Sequence, residues 1–213
     1  MKALIVYGGW EGHEPAQIAR LFERQLKSHG FEVVLSDTLD AFKTNDLASF
    51  DLLVPHWTMT TIAKDQLDPL LKAVGVQGVG IAGIHGGMGD AFRQETEYQF
   101  MVGGQWIAHP GNIIDYRVHI VDHADEVTAG LTHFDMHSEQ YYMHVDPSNH
   151  VLATTTFEHN GCTMPVAWKR MYGNGRVFYS SLGHVAADLE NGPEALAIIT
   201  RGMLWAAAGR SRS

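Results

Sequence analysis

Four histidines stand at the ends of apolar runs, where a fold can gather them. His13 comes shortly after residues 3–7, His56 ends residues 51–56, His85 follows residues 79–84, and His184 follows residues 176–182. The chain carries 13 histidines, and imidazole both moves protons near neutral pH and ligates metals. The stretch VGIAGIHGGMGD at residues 79–90 is the most pointed case. Its Gly83-x-His85-x-Gly87 spacing is that of a nucleophile elbow, a sharp strand-to-helix turn that normally exposes Ser or Cys. Here it would expose an imidazole. Trp10 and Trp57 fall in the same loops. Each would either cap the core or offer a flat apolar platform to a small ligand such as a sugar ring.

Residues 133–139, HFDMHSE, alternate in type. Extended throughout, they would set His133, Asp135, His137 and Glu139 on one face, able to hold a divalent metal such as zinc or manganese. No H-E-x-x-H spacing supports that set. Residues 133–135 are therefore expected as a solvated turn, with strand from Glu139 onward. Glu139 is the better candidate, because Tyr141 and Tyr142 would partly bury it, and burial raises a carboxyl pKa toward useful acid–base values. Cys162 lies in a Gly-Cys-Thr turn with no elbow around it, so a cysteine nucleophile is not expected.

The elements that must position these residues read as an α/β fold. Residues 3–7, 31–35, 51–56 and 79–84 are apolar runs suited to a buried parallel sheet. Between them, Ile18, Leu21, Phe22 and Leu26 recur at helical spacing, with Pro15 and Gly30 at the helix ends, and residues 64–74 form a second helix. The second half changes character. A helix over 95–102 is followed by strands at 116–121, 139–145, 151–157, 165–172 and 176–181, with Asn174-Gly175 as a hairpin turn. An apolar helix over 193–208 and a polar tail over 210–213 complete the chain. No repeat or linker divides it, so residues 1–213 are expected to form one domain. Ligands of open parallel sheets bind beyond the carboxyl ends of the strands, which is where His13, His56 and His85 would meet.

Composition narrows the function. A net charge of −9 argues against nucleic-acid partners. A lone cysteine excludes an internal disulfide and suits a reducing compartment such as the cytoplasm. The opening MKALIVYGGWEGHE reads as a first strand rather than a signal peptide, and no run has the length of a membrane span. Gly8-Gly9-x-x-Gly12 lacks the G-x-G-x-x-G spacing, and no phosphate loop is present, so nucleotide binding is not expected.

GIAGIHGG at 80–87, MVGGQWIAHP at 101–110, SEQYY at 138–142 and PVAWKRMYGNGRVFYSSLGH at 165–184 together resemble the trehalose-utilisation (ThuA-like) family. That family is a branch of the class I glutamine amidotransferase-like superfamily. The resemblance implies a flavodoxin-like sheet with added strands in the second half. It places His85 where amidotransferases carry their nucleophilic cysteine and His184 near their catalytic histidine, so thiolate glutaminase chemistry is excluded. It also implies a role in the catabolism of disaccharides, trehalose and related glucosides in particular, and of their keto-sugar forms. His137-Ser138-Glu139 departs from the acidic pair that similar proteins often show before the tyrosine.

The expected activity is acid–base or metal-assisted chemistry on a disaccharide or keto-sugar. His85, Glu139 and His184 are the expected catalytic residues, and His13, His56, His85 and His184 are candidate metal ligands. His13, His56 and His109 would bind hydroxyls or complete a metal site, while Trp10, Trp57, Tyr141 and Trp168 would be ring platforms. The alternative is a non-catalytic sugar-binding or regulatory module on an amidotransferase-like scaffold. A homo-oligomer formed through the apolar final helix is compatible with either.

Overall fold

In the computed structural model, which describes residues 1–210, the apolar runs of the first half become the strands of a parallel sheet. β1 (Lys2–Gly9) is flanked by β2 (Glu32–Ser36) and β3 (Leu52–Thr58), and β4 (Gly80–Ile84) lies beyond β3. The connection from β1 to β2 is α1 (Pro15–Ser28), which opens on Pro15 and buries Ile18, Leu21, Phe22 and Leu26. Burial of each such side chain contributes about 1.5–3 kcal/mol, so the apolar stripe fixes this helix against the sheet. Gly30 follows it at φ +80, a left-handed conformation that costs glycine little. The short α2 (Ala41–Thr44) precedes β3, and α3 (Lys64–Gly75) connects β3 to β4.

The second half supplies α4 (His85–Gly89), α5 (Thr96–Val102), β5 (Gly104–Ala108), β6 (Ile113–Ile120), β7 (Phe134–Glu139) and β8 (Tyr142–Val145). After these come β9 (His150–Thr156), β10 (Thr163–Tyr172), β11 (Gly175–Ser180), α6 (Ala186–Glu190) and α7 (Pro193–Ala207). The main sheet has nine strands in the order β2-β1-β3-β4-β11-β10-β9-β6-β7. It is parallel from β2 to β11 and antiparallel from β11 to β7. β5 and β8 form a separate antiparallel ribbon.

Three sequence expectations need correcting. The run expected as one strand over 139–145 is two, because β7 ends at Glu139 and β8 begins at Tyr142. Residues 134–135 belong to β7 rather than to a turn, and β7 leaves Asp135 and His137 exposed while Phe134, Met136 and Glu139 are buried. The β10–β11 hairpin turns at Gly173-Asn174, one residue earlier than expected, because Tyr172 pairs with Gly175 and Gly173 takes φ +54. The apolar helix α7 buries Ala195, Ile198, Ile199 and Met203 in the core. Of the polar tail expected over 210–213, residues 211–213 lie outside the described residues. Among the described residues, no helix is long and apolar enough to cross a membrane.

Candidate functional site

The strand ends converge as the sheet topology requires. β1 leads into a short 3-10 turn, Glu11–His13, that buries the His13 ring. β3 ends at Thr58, whose Oγ1 lies 2.8 Å from His13 Nδ1. β4 runs into His85, and β11 runs through Ser181 and Leu182 to His184. From the antiparallel half, β7 delivers Glu139 at its last residue.

His85 sits at φ +44, the left-handed region that non-glycine residues seldom occupy. Three contacts hold it there. Tyr179 Oη donates to the His85 carbonyl at 3.0 Å, Tyr141 stacks on the imidazole at 3.8 Å between centroids, and His85 Nδ1 donates to the Ser181 carbonyl at 2.8 Å. The glycines of the elbow leave space for the other imidazoles. A Cβ on Gly86 would come within 2.3 Å of His13 Cε1, and one on Gly87 within 2.1 Å of His56 Nδ1.

A carbonyl can only accept, so His85 carries a proton on Nδ1, and its Nε2 makes a 3.0 Å contact with Glu139 Oε2. His184 Nδ1 lies 3.3 Å from the same oxygen, and His109 Nδ1 lies 3.8 Å from Oε1; neither nitrogen makes a hydrogen bond. Burial alone would raise the Glu139 carboxyl, but the His184 and His85 imidazoles outweigh it and hold the group well below the usual carboxylate range. Partial burial therefore does not tune Glu139 toward acid–base work as expected from the sequence. Burial lowers His85 against the pull of Glu139, and burial together with the neighbouring imidazoles lowers His13 to about 2. His184 is shifted up: its burial would lower it, but the Glu139 carboxylate more than offsets that.

One ligand atom from each of His13, His85, Glu139 and His184 lies within 4.8 Å of the other three. Three imidazole nitrogens and a carboxylate oxygen suit zinc or manganese. The downward shifts of Glu139, His13 and His85 favour the protonation states a metal requires of its ligands, whereas His184, shifted up by Glu139, would give up its proton on ligation. His85 Nε2 and Glu139 Oε2, 3.0 Å apart, are spaced as two ligands of one cation would be. The outer contacts are of the kind that orient metal ligands. Ser181 fixes His85 and Thr58 fixes His13, while Asp188 Oδ2 accepts from the His184 backbone N–H at 3.0 Å and from Ser138 Oγ at 2.6 Å.

Beside this cluster lies a cavity of about 100 Å³. Trp10, His13, His109, Glu139 and Tyr141 line it, joined by Met59, Asp90 and Trp106, which sequence reasoning did not select. Asp90 closes the quoted glycine stretch and Trp106 lies three residues before His109, so proximity to chosen residues was the available signal. Three expected site residues fall elsewhere. His56 is buried with Nε2 3.5 Å from the His13 carbonyl, outside the four-ligand set, and burial lowers it to about 4. The Trp57 ring covers Gly8 and packs against the core. Trp168 is wholly buried, donates from Nε1 to the Val102 carbonyl at 2.9 Å and packs on Tyr179, so it has no face to offer a ligand. Cys162 stands outside the cluster.

Comparison with known proteins agrees with this architecture. The ThuA family profile, trehalose utilisation, matches residues 2–206. A ThuA-like protein of Parabacteroides merdae superposes with a TM-score of 0.80 at 19% identity, covering 100% of this chain and 92% of that one. A ThuA-like protein of Bacteroides uniformis gives 0.80 at 17% identity, covering 100% and 93%. A glutamine amidotransferase of Thermotoga maritima gives 0.59 at 12% identity, covering 98% and 96%. No curated protein matches by sequence. With the profile spanning nearly all of the sequence, the chain belongs to the ThuA family of trehalose-utilisation proteins.

Proposed function

We propose that the protein is an enzyme of disaccharide or keto-sugar metabolism that works at a divalent-metal centre held by His13, His85, Glu139 and His184. The observation that carries this reading is the convergence of one ligand atom from each of these four residues within 4.8 Å of the others, with His85 Nε2 3.0 Å from the Glu139 carboxylate. Membership of a trehalose-utilisation family supports the substrate class.

A bound divalent cation would polarise a substrate carbonyl or acidify a water molecule. The chain's own residues do the rest. Glu139, held ionised, acts as a ligand and leaves proton transfer to others. His109 makes no hydrogen bond at Nδ1 and faces the cavity, so it is placed to take a proton from the carbon next to a carbonyl and return it in an isomerisation or elimination. Tyr141 is buried and its phenol is shifted well up, so it stays protonated and can donate to a substrate oxygen. Trp10 and Trp106 supply the apolar faces on which a sugar ring could lie.

The test is elemental analysis of protein purified without a histidine tag, combined with turnover of trehalose, sucrose and their 3-keto derivatives. About one zinc or manganese per chain is expected. Chelation should abolish turnover and metal should restore it, and His85→Ala should lose both metal and turnover. A metal-free sample that remains active would sink the reading. If the parent protein binds these sugars but turns none over, the non-catalytic alternative replaces it.

A further inference from the structure

One wall of the cavity takes no part in the metal centre. Asp90 follows α4 and is 4% exposed. Its carbonyl accepts from the Met59 N–H at 3.1 Å, and its carboxylate accepts from Arg93 Nε at 2.6 Å and Arg93 Nη2 at 2.9 Å. The guanidinium in turn lies 4.9 Å from the Trp106 ring centroid. Backbone, carboxylate and counter-ion are thus fixed as a unit. A bidentate guanidinium engages one lone pair on each carboxylate oxygen and leaves another on each to accept. Burial raises the Asp90 carboxyl, outweighing the opposing pull of Arg93.

Around this acceptor stand nitrogen atoms without partners. Trp106 Nε1 and His109 Nδ1 are both buried and make no hydrogen bond, and both residues line the cavity with Asp90. An indole N–H is donor only. The wall therefore combines a fixed anionic acceptor with unpaired ring nitrogens, beside Tyr141. Adjacent hydroxyl groups, each donor and acceptor at once, would satisfy that combination. A carbonyl alone would satisfy the indole N–H but leave the carboxylate, and the His109 nitrogen as a base, unmatched.

We propose that Asp90 is a specificity-determining residue, accepting hydrogen bonds from neighbouring hydroxyls of the substrate sugar, and that Arg93 is the positioning residue that aims it. This inference rests on the sugar reading above. A site built to pair a hydroxyl rejects an analogue lacking it far more strongly than an apolar pocket would, because the buried polar group is then left unpaired.

Calorimetric binding to metal-loaded wild type, Asp90→Asn and Arg93→Lys tests it, with trehalose, 3-ketotrehalose and the monodeoxytrehaloses as probes. Wild type is expected to bind at least one monodeoxytrehalose about tenfold or more weaker than trehalose, a discrimination of the size one buried hydrogen bond supports. Asp90→Asn should bind these compounds alike while keeping wild-type metal content. Arg93→Lys keeps the charge but not the fork, so it should retain part of the discrimination. Unchanged discrimination in Asp90→Asn would overturn the role of Asp90 and leave the sugar reading standing, as would its metal content falling together with affinity. Wild-type protein that binds neither trehalose nor 3-ketotrehalose would overturn both.

Discussion

At the scale of single residues, the site depends on what surrounds each imidazole more than on the imidazole itself. The elbow spacing was legible in the sequence, and so was the histidine at its tip. The purpose of Gly86 and Gly87 was not, because the rings they make room for come from residues far away in the chain. Gly86→Ala should push the His13 ring off its position and weaken metal binding at least tenfold, read by metal titration with circular dichroism as a check on folding. Wild-type affinity in that variant would mean that His13 is not a ligand. Glu139→Gln keeps the shape of the side chain but loses its charge, so metal content should fall sharply with little change in fold. His56 gives a pH dependence of definite sign. Its folded pKa of about 4 lies below the ordinary histidine value of 6.5, so the unfolded chain takes up the proton first. Its stabilising contribution is complete above pH 6.5 and is lost as the pH falls toward 4. Between pH 7 and pH 5 this group should account for about 2 kcal/mol of the stability lost in urea unfolding; because His13 and His85 are also shifted down, His56→Gln should reduce the difference by about that amount without abolishing it.

At the scale of elements, strands with strong apolar runs were legible and their partners were not. β1, β3 and β4 announce themselves by burial on both faces, whereas β5 carries no clear pattern and is set by pairing with β8. β7 was obscured because its inward residues, Phe134, Met136 and Ser138, are interleaved with polar ones that look like ligands. Only a partner strand shows that Asp135 and His137 face outward, where they pair with Arg117 and Asp115. Glu139 departs from this alternation at the strand end, and that departure carries it into the site. Close packing of α7 on β4 makes a separate prediction. A Cβ on Gly80 would meet the Ala206 carbonyl oxygen at 2.2 Å, a contact that only backbone movement can relieve. Gly80→Ala should cost about 1–3 kcal/mol in thermal or urea unfolding while leaving His13, His85, Glu139 and His184 in place. An unchanged melting temperature would show that helix and strand are less tightly apposed than described.

At the scale of the whole molecule, the sheet brings together residues spread from His13 to His184, and its change from parallel to antiparallel pairing is what allows this. The parallel half presents His13, His85 and His184 beyond its strand ends, and the antiparallel extension returns Glu139 to face them. The α/β class was readable from the alternation of elements. The candidate four-ligand set was only partly readable, since His56 shares its sequence signature with the other three histidines and Glu139 comes from a strand whose alternation did not show which face turns inward. A centre assembled across both halves of the sheet is the central claim, and anomalous diffraction tests it most directly. Crystals of untagged protein soaked in manganese or zinc and measured at the metal's absorption edge should show one strong peak within bonding distance of His13, His85, Glu139 and His184. A map with no peak there, or with its main peak at the surface group of Asp122, Asp125 and His150, would contradict it.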